Sequence, residues 1–262
     1  MSDKVKYSNE QISDLLDGIF DGSITEYEIP EDFYFAIVEY LRAGLYKGFG
    51  GTLEDFGGSE LKVLTELREN VYMFSAAKSF QTLSSIRDCL LDENGDLRSQ
   101  SDFLQIANQT FSDFVDDYGL TERNTAISQA INASKWQQIE KDKDILPNLV
   151  YSTVGDACDI CAPLDGMTAP VEDSIWDTIA VPNHWNCLCV LEQADEEEKL
   201  TPDDEKESIF DGVVEKMDDN FKMNSGKDGY IFSPEHPYFE VSPKDKEFKD
   251  NNFGLPIPKT DK

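Results

Sequence analysis

Basic residues are scarce in this chain: 23 lysines and arginines stand against 53 aspartates and glutamates, a formal charge of −30 over 262 residues. Phosphate backbones are held by cationic side chains that displace counterions, so direct strong DNA binding is not expected. The same charge disfavours anionic membrane surfaces. Long apolar runs are missing as well. No stretch approaches the roughly 18 residues of a membrane span. None follows the lysines between Met1 and Tyr7, so no secretory leader is expected. Histidine occurs twice, at His184 and His236, and neither opens a His-Glu-x-x-His zincin helix or the His-x-Glu element of a zinc deaminase. No internal repeat is visible at the periods of about 20 to 50 residues that mark solenoids and propellers.

What is present supports a packed core. The sequence is 39% hydrophobic, with 16 Phe and 10 Tyr, which excludes general disorder. Its length suits one large domain or two modest ones.

The first half reads as helix. Ser8 and Gln11 have capping-box spacing ahead of Ile12, Leu15, Leu16, Ile19 and Phe20, and Gly22 and Ser23 end that helix. A second helix starts near Pro30, carries Phe33, Ile37, Leu41 and Leu45 on one stripe, and stops at Gly48, Gly50 and Gly51. A third runs from about 59 to 91, with Cys89 near its end as a small buried hydrophobe. Asn94 and Gly95 mark a turn. Phe103, Ala107, Phe111, Phe114 and Tyr118 make the next helix, closed by Gly119 in the C′ role. Thr121 caps a helix that runs to about Lys141, and Glu122 and Arg123 in its first turn read as solvated helix-end charges.

After Pro147 the period shortens. Leu149 to Val154 is β-branched and aromatic, a strand, and further short strands are predicted after Trp176 up to Val181 and from Cys187 to Glu192. An acidic helix opens at Thr201 and Pro202 and packs Ile209, Phe210, Val213, Val214 and Met217. Residues 221–241 suggest a hairpin, and the last twenty an extended tail.

Four of the five cysteines fall between Cys158 and Cys189. Cys158-x2-Cys161 and His184-x2-Cys187 are two short hooks of the kind that meet on one tetrahedral zinc. Cys189 is a fifth candidate. On a regular strand it would stand roughly 6.6 Å along the backbone from Cys187, too far to share an ion unless the strand bends. Which of the two completes the set stays open, as does a cluster of buried thiols without metal. A cysteine–histidine nucleophile is disfavoured, because so many ligands together favour a metal. His236, in Glu235, His236, Pro237 and Tyr238, reads as a turn-fixing residue.

Several of these motifs, in this order, resemble the phage Mu F-like family of minor head proteins. They are Thr121 to Ala126, Lys135 and Trp136, Cys158-x2-Cys161, Leu164 to Gly166, Trp176 to Thr178, Pro182 to Cys189, Phe221 to Lys227, and His236 to Tyr238, spanning about 100 to 242. The familiar form has an arginine between the last two cysteines, where this chain has Leu188. The resemblance implies a minor capsid or head morphogenesis protein of a tailed phage or prophage. It would be found in the virion, at the portal or capsid interior, and in the host cytoplasm during assembly. It would meet portal, capsid or scaffold protein and aid head assembly or DNA delivery.

The resulting expectation is a non-enzymatic α+β protein. A helical region (1–95) that docks on portal or scaffold precedes a Mu F-like helix-plus-sheet domain (96–242), and a tail (243–262) follows. The small sheet is stabilised by structural zinc on Cys158, Cys161, His184, Cys187 and Cys189. The alternatives are a zinc-dependent, hydrolase-like enzyme acting on the host or cell wall, and a zinc-binding interaction module unrelated to phages.

Overall fold

The computed structural model describes residues 4–155 and 157–260; Met1 to Asp3, Asp156, Asp261 and Lys262 lie outside the described residues, and with them the ends of the first region and of the tail. The helices are α1 (Asn9–Asp21), α2 (Glu31–Phe49), α3 (Gly58–Asp88), α4 (Gln100–Ser112), α5 (Tyr118–Asp142), α6 (Asp203–Val214), α7 (Ser225–Asp228) and α8 (Lys246–Asp250). Three strands, β1 (Asn148–Ser152), β2 (Thr168–Pro170) and β3 (Val190–Ala194), form one antiparallel sheet in the order β2-β1-β3. The α+β expectation holds. None of the described helices is long and apolar enough to cross a membrane.

Contacts group the chain into two compact units that interleave in sequence. One contains Met1–Arg42, Val71–Arg123 and Pro237–Lys262; the other contains Ala43–Asn70 and Asn124–His236.

The first unit is helical and aromatic. Ser8 caps α1 with both capping-box bonds in place, and Gly22 closes it at φ +82°, a left-handed conformation that costs glycine little. Phe33 on α2, Phe111 on α4 and Tyr7 meet with centroids 5.5–6.2 Å apart. The expected stop at Gly119 is absent. A π-helical turn, Asp113–Asp117, carries α4 directly into α5, so Thr121 caps nothing and Gly119 is an interior helix residue. Glu122 and Arg123 are consequently buried rather than solvated. Glu122 takes both oxygens to Lys78 Nζ, at 2.8 and 2.6 Å, and Arg123 lies 4.8 Å over the Tyr40 ring. Cys89 is half-buried, its thiol 3.3 Å from the Ser85 carbonyl. The tail is not extended. Short helical turns from Pro243 to Gly254 place Phe248 and Phe253 against Phe80, 6.1 and 5.0 Å away, because two aromatic side chains in a polar segment suffice to dock it.

The second unit holds the sheet. β1 pairs Leu149 with Ala169 of β2 and with Gln193 of β3. Trp136, Leu149, Tyr151, Leu164, Trp176, Ile179, Leu191 and Phe221 share its core, and Ile209, Phe210 and Val214 of α6 pack against it as their spacing predicted. The strand predicted after Trp176 up to Val181 does not form: a 3-10 turn, Ser174–Asp177, pinned by the Trp176 indole donating to Pro170 O at 2.9 Å, runs into turns and bends over 178–181. The predicted hairpin over 221–241 is short helical turns, because buried Asn70 binds its backbone. Asn70 Oδ1 accepts from Ile231 N and Phe232 N, and Nδ2 donates to Phe232 O. Gly48 does not end α2. It lies inside the helix, where a Cβ would come within 2.3 Å of Ile127 O, so the α5 backbone requires the missing side chain.

Candidate metal centre

The cluster lies at one end of the small sheet, in irregular backbone that a few polar side chains hold. After β1, the Asp165 carboxylate accepts from Thr153 N (2.9 Å) and Thr153 Oγ (2.8 Å), which holds its pKa below the usual carboxylate range. Gly166 (φ +76°) then donates to Tyr151 O and returns the chain to the sheet. The first hook is a helical turn: Ala162 N donates to Cys158 O at 2.8 Å, and Leu164 N to Cys161 O at 3.0 Å. The second is a tight turn through left-handed Asn186 (φ 58°), with Cys187 N donating to His184 O at 3.2 Å. Ser128 on α5 donates to Cys187 O at 3.2 Å and fixes that turn against the helix.

The five predicted ligands gather into two triads that share one residue. Cys158, Cys161 and His184 have donor atoms within 4.8 Å of one another, and so have Cys161, Cys187 and Cys189. Cys161, Cys187 and Cys189 are buried, His184 is half-buried and Cys158 is exposed. β3 begins only at Val190, not at Cys187. Cys187 and Cys189 therefore do not stand on a regular strand, and the spacing that set them against each other does not apply. The Cys161 and Cys187 sulfurs are 3.8 Å apart. A tetrahedral zinc with Zn–S of about 2.3 Å separates its sulfurs by about 3.8 Å.

Neighbouring groups suit that use. His184 Nδ1 lies 2.9 Å from its neighbour's carbonyl, Trp185 O, so a proton there leaves the Nε2 lone pair to a metal. The Tyr151 hydroxyl is 3.3 Å from Cys161 Sγ and 3.1 Å from the buried Asn183 amide. Hydrogen bonds with Cys187 and Cys189, then burial, push the Cys161 thiol up. Cys187 also rises, because Cys189 and burial outweigh its bond with Cys161. Bonds from Cys161 and then Cys187 push the Cys189 thiol down. The three sulfurs thus lie within reach of one another in a buried pocket, and a divalent cation would offset the repulsion among thiolates there.

Sequence reasoning assigned no role to this outer layer of Tyr151, Asn183 and Ser128: Tyr151 and Asn183 lie within a few residues of the cysteines, while Ser128, 59 residues before Cys187, carried no sequence signal. His236 is buried, its N–H donating to Ser233 O and its ring edge-on to Trp185 and Phe232 at 6.1 and 6.4 Å.

Residues 105–192, about a third of the chain, match the model of the family described as Phage Mu protein F like protein, and over that segment the chain is similar to that family. The match runs from α4 to β3 and includes all five candidate ligands; the downstream motifs at Phe221 to Lys227 and His236 to Tyr238 lie beyond it. No curated protein and no solved structure matches the chain.

Proposed function

We propose that the protein is a minor capsid component acting in head morphogenesis of a tailed phage or prophage, associated with the portal and capsid interior. The observation that carries this reading is the Mu F-like match over 105–192, within which both cysteine hooks come together. In this role it meets portal, capsid or scaffold protein through its N-terminal helices, in the host cytoplasm during assembly and then in the virion. The charge of −30 lets it share a capsid with DNA without adhering to it.

The cysteine cluster is structural in this reading, with zinc on Cys161, Cys187 and two of Cys158, His184 and Cys189. The donor set, the 3.8 Å sulfur spacing and the oriented His184 ring support zinc. Zinc there would lock the two loops at the end of the sheet. An enzymatic reading needs an acid or base free to meet a substrate. Asp165 is committed to Thr153 and His236 is buried among aromatic rings, which leaves exposed Asp159 between the hook cysteines as the carboxylate to replace in testing that reading.

The test is an affinity pull-down of the tagged chain from cells expressing the phage programme, read by mass spectrometry. Recovery of portal, scaffold or capsid protein is the expected result. Host proteins alone would overturn the reading.

A further inference from the structure

The first unit carries a groove of about 560 Å³ outside the Mu F-like segment. One wall is the end of α3 with the turn that follows it, where Leu91 and Leu97 pair across an antiparallel bridge. The other wall is the segment Glu240 to Asp245. Both walls are pinned. Gln81 Nε2 donates to Tyr238 O (3.1 Å) and Glu240 O (2.8 Å), and the Tyr27 hydroxyl donates to Asp245 at 2.8 Å. The groove is thus formed before anything enters it, and its volume falls in the range of about 300–1,000 Å³ typical of binding clefts.

Its lining has two properties. The first is exposed apolar surface: Leu97 is 77% exposed, Leu91 48% and Tyr27 43%. The second is uncompensated negative charge. Of the two lining cations, Arg87 is paired with Glu26, and Lys244 lies over the Tyr27 ring beside Asp245. Asp88 and Glu240 also line the groove, are exposed, and have no cationic partner among the described residues. Exposed leucines beside unpaired carboxylates exclude a phosphate-bearing occupant and complement a segment that carries both leucine-like and basic side chains.

We propose that this groove is a docking site for a basic, leucine-bearing peptide segment of a partner protein. The leucine side chains cover Leu91, Leu97 and Tyr27, and lysine or arginine side chains reach Asp88 and Glu240. A second copy of this chain is disfavoured, since its own charge of −30 would oppose the same carboxylates. The site lies outside the matched family segment, and it is tested without any head component, so its failure and the failure of the head-protein reading are distinguishable.

The experiment is selection of a random dodecapeptide library on the immobilised full-length chain. Recovered peptides are then titrated by fluorescence anisotropy against wild type, Leu97→Ser and a Glu240→Lys/Asp88→Lys double variant. The expected peptides combine Leu, Ile or Phe with Lys or Arg. Each single or double change should weaken them about tenfold or more, the scale of one lost leucine contact or one lost charge pair. Leu97 is exposed enough for its replacement to leave the fold intact. Failure to enrich any peptide, enrichment of acidic peptides, or binding indifferent to both variants would overturn the proposal. So would concentration-dependent self-association, by sedimentation velocity, that Leu97→Ser abolishes.

Discussion

The buried pair of Lys78 and Glu122 makes a demanding prediction, because each partner removed alone leaves a different charge in the core. Lys78 is fully buried and Glu122 nearly so. The ammonium donates to both Glu122 oxygens and, at 2.5 Å, to the Phe114 carbonyl that the π-helical turn presents. Removing one member of such a pair costs about 3–5 kcal/mol, against a whole-domain stability of about 5–15 kcal/mol. In Lys78→Met, Glu122 remains buried without a cation, and burial disfavours a charged carboxylate. The penalty is then smallest at low pH, where the carboxyl is protonated in both states, and grows as pH rises past about 4.3. Glu122→Gln has the opposite sign. Burial already lowers the Lys78 pKa, and losing the Glu122 charge lowers it further. Lys78 is protonated when unfolded, so this penalty shrinks as pH climbs toward about 10.4. Each slope approaches about 1.4 kcal/mol per pH unit at its steepest. The double variant Lys78→Met/Glu122→Gln leaves neither charge and should fall within about 2 kcal/mol of wild type. Urea unfolding followed by circular dichroism between pH 5 and 9 tests this. Parallel pH slopes for the two single variants, or a double variant at the sum of both losses, would refute the buried charged pair.

Three further outcomes are expected. Cys161 belongs to both ligand triads, so Cys161→Ser should abolish zinc binding, while Cys158→Ser should retain one ion per chain with weakened affinity; atomic emission and metal-indicator competition decide it. Gly226→Ala would place a methyl 2.3 Å from Trp136 Cβ, and the loss of about 1–3 kcal/mol should appear in tryptophan-monitored denaturation. Burial first, then the Asp32 charge for Tyr7 and the Glu122 charge for Tyr238, raise both phenol pKa values. Their contribution to stability is therefore complete below about pH 10 and lost as pH rises through the folded values, so ultraviolet titration should show them ionising only with unfolding.

Local signals were legible wherever neighbouring residues decide the outcome. Ser8 with Gln11, the Phe33–Ile37–Leu41–Leu45 stripe and the Val213 face of α6 all took the structure their spacing dictates. The cysteine hooks were legible for the same reason: two residues between donors is a local constraint. What escaped was set by contacts distant in sequence. Gly119 looks like a helix terminator, yet packing holds the chain helical through the π turn. Lys78 follows Phe74 by four residues and precedes Thr82 by four, so its place on a buried face was readable; its partner, 44 residues away, was not. The tail was misjudged because its polar majority hid Phe248 and Phe253, whose targets include Phe80 and Tyr27.

The shape of the sheet explains why a metal would matter most at its cysteine end. β2 spans three residues, and β1 and β3 five each. The β1–β3 ladder stops at Ser152 and Val190; between Thr153 and Met167 the described residues form only the 3-10 turn Ala162–Leu164, and those from 178 to 189 form no helix or strand. Ladder pairing does not extend along those two stretches, and their ties include Gly166 N to Tyr151 O, Asp165 to Thr153, Asn183 to Tyr151, Ser128 to Cys187 and the thiols. Each neutral hydrogen bond contributes only about 1 kcal/mol net. Four metal–ligand bonds converging near Cys161 would restrain both stretches together, and the loop between the hooks would be closed in the unfolded chain only at an entropic cost. Leu188, 73% exposed beside two buried cysteines, fits this division of labour: backbone and sulfur build the centre, and the residue between them is left to solvent.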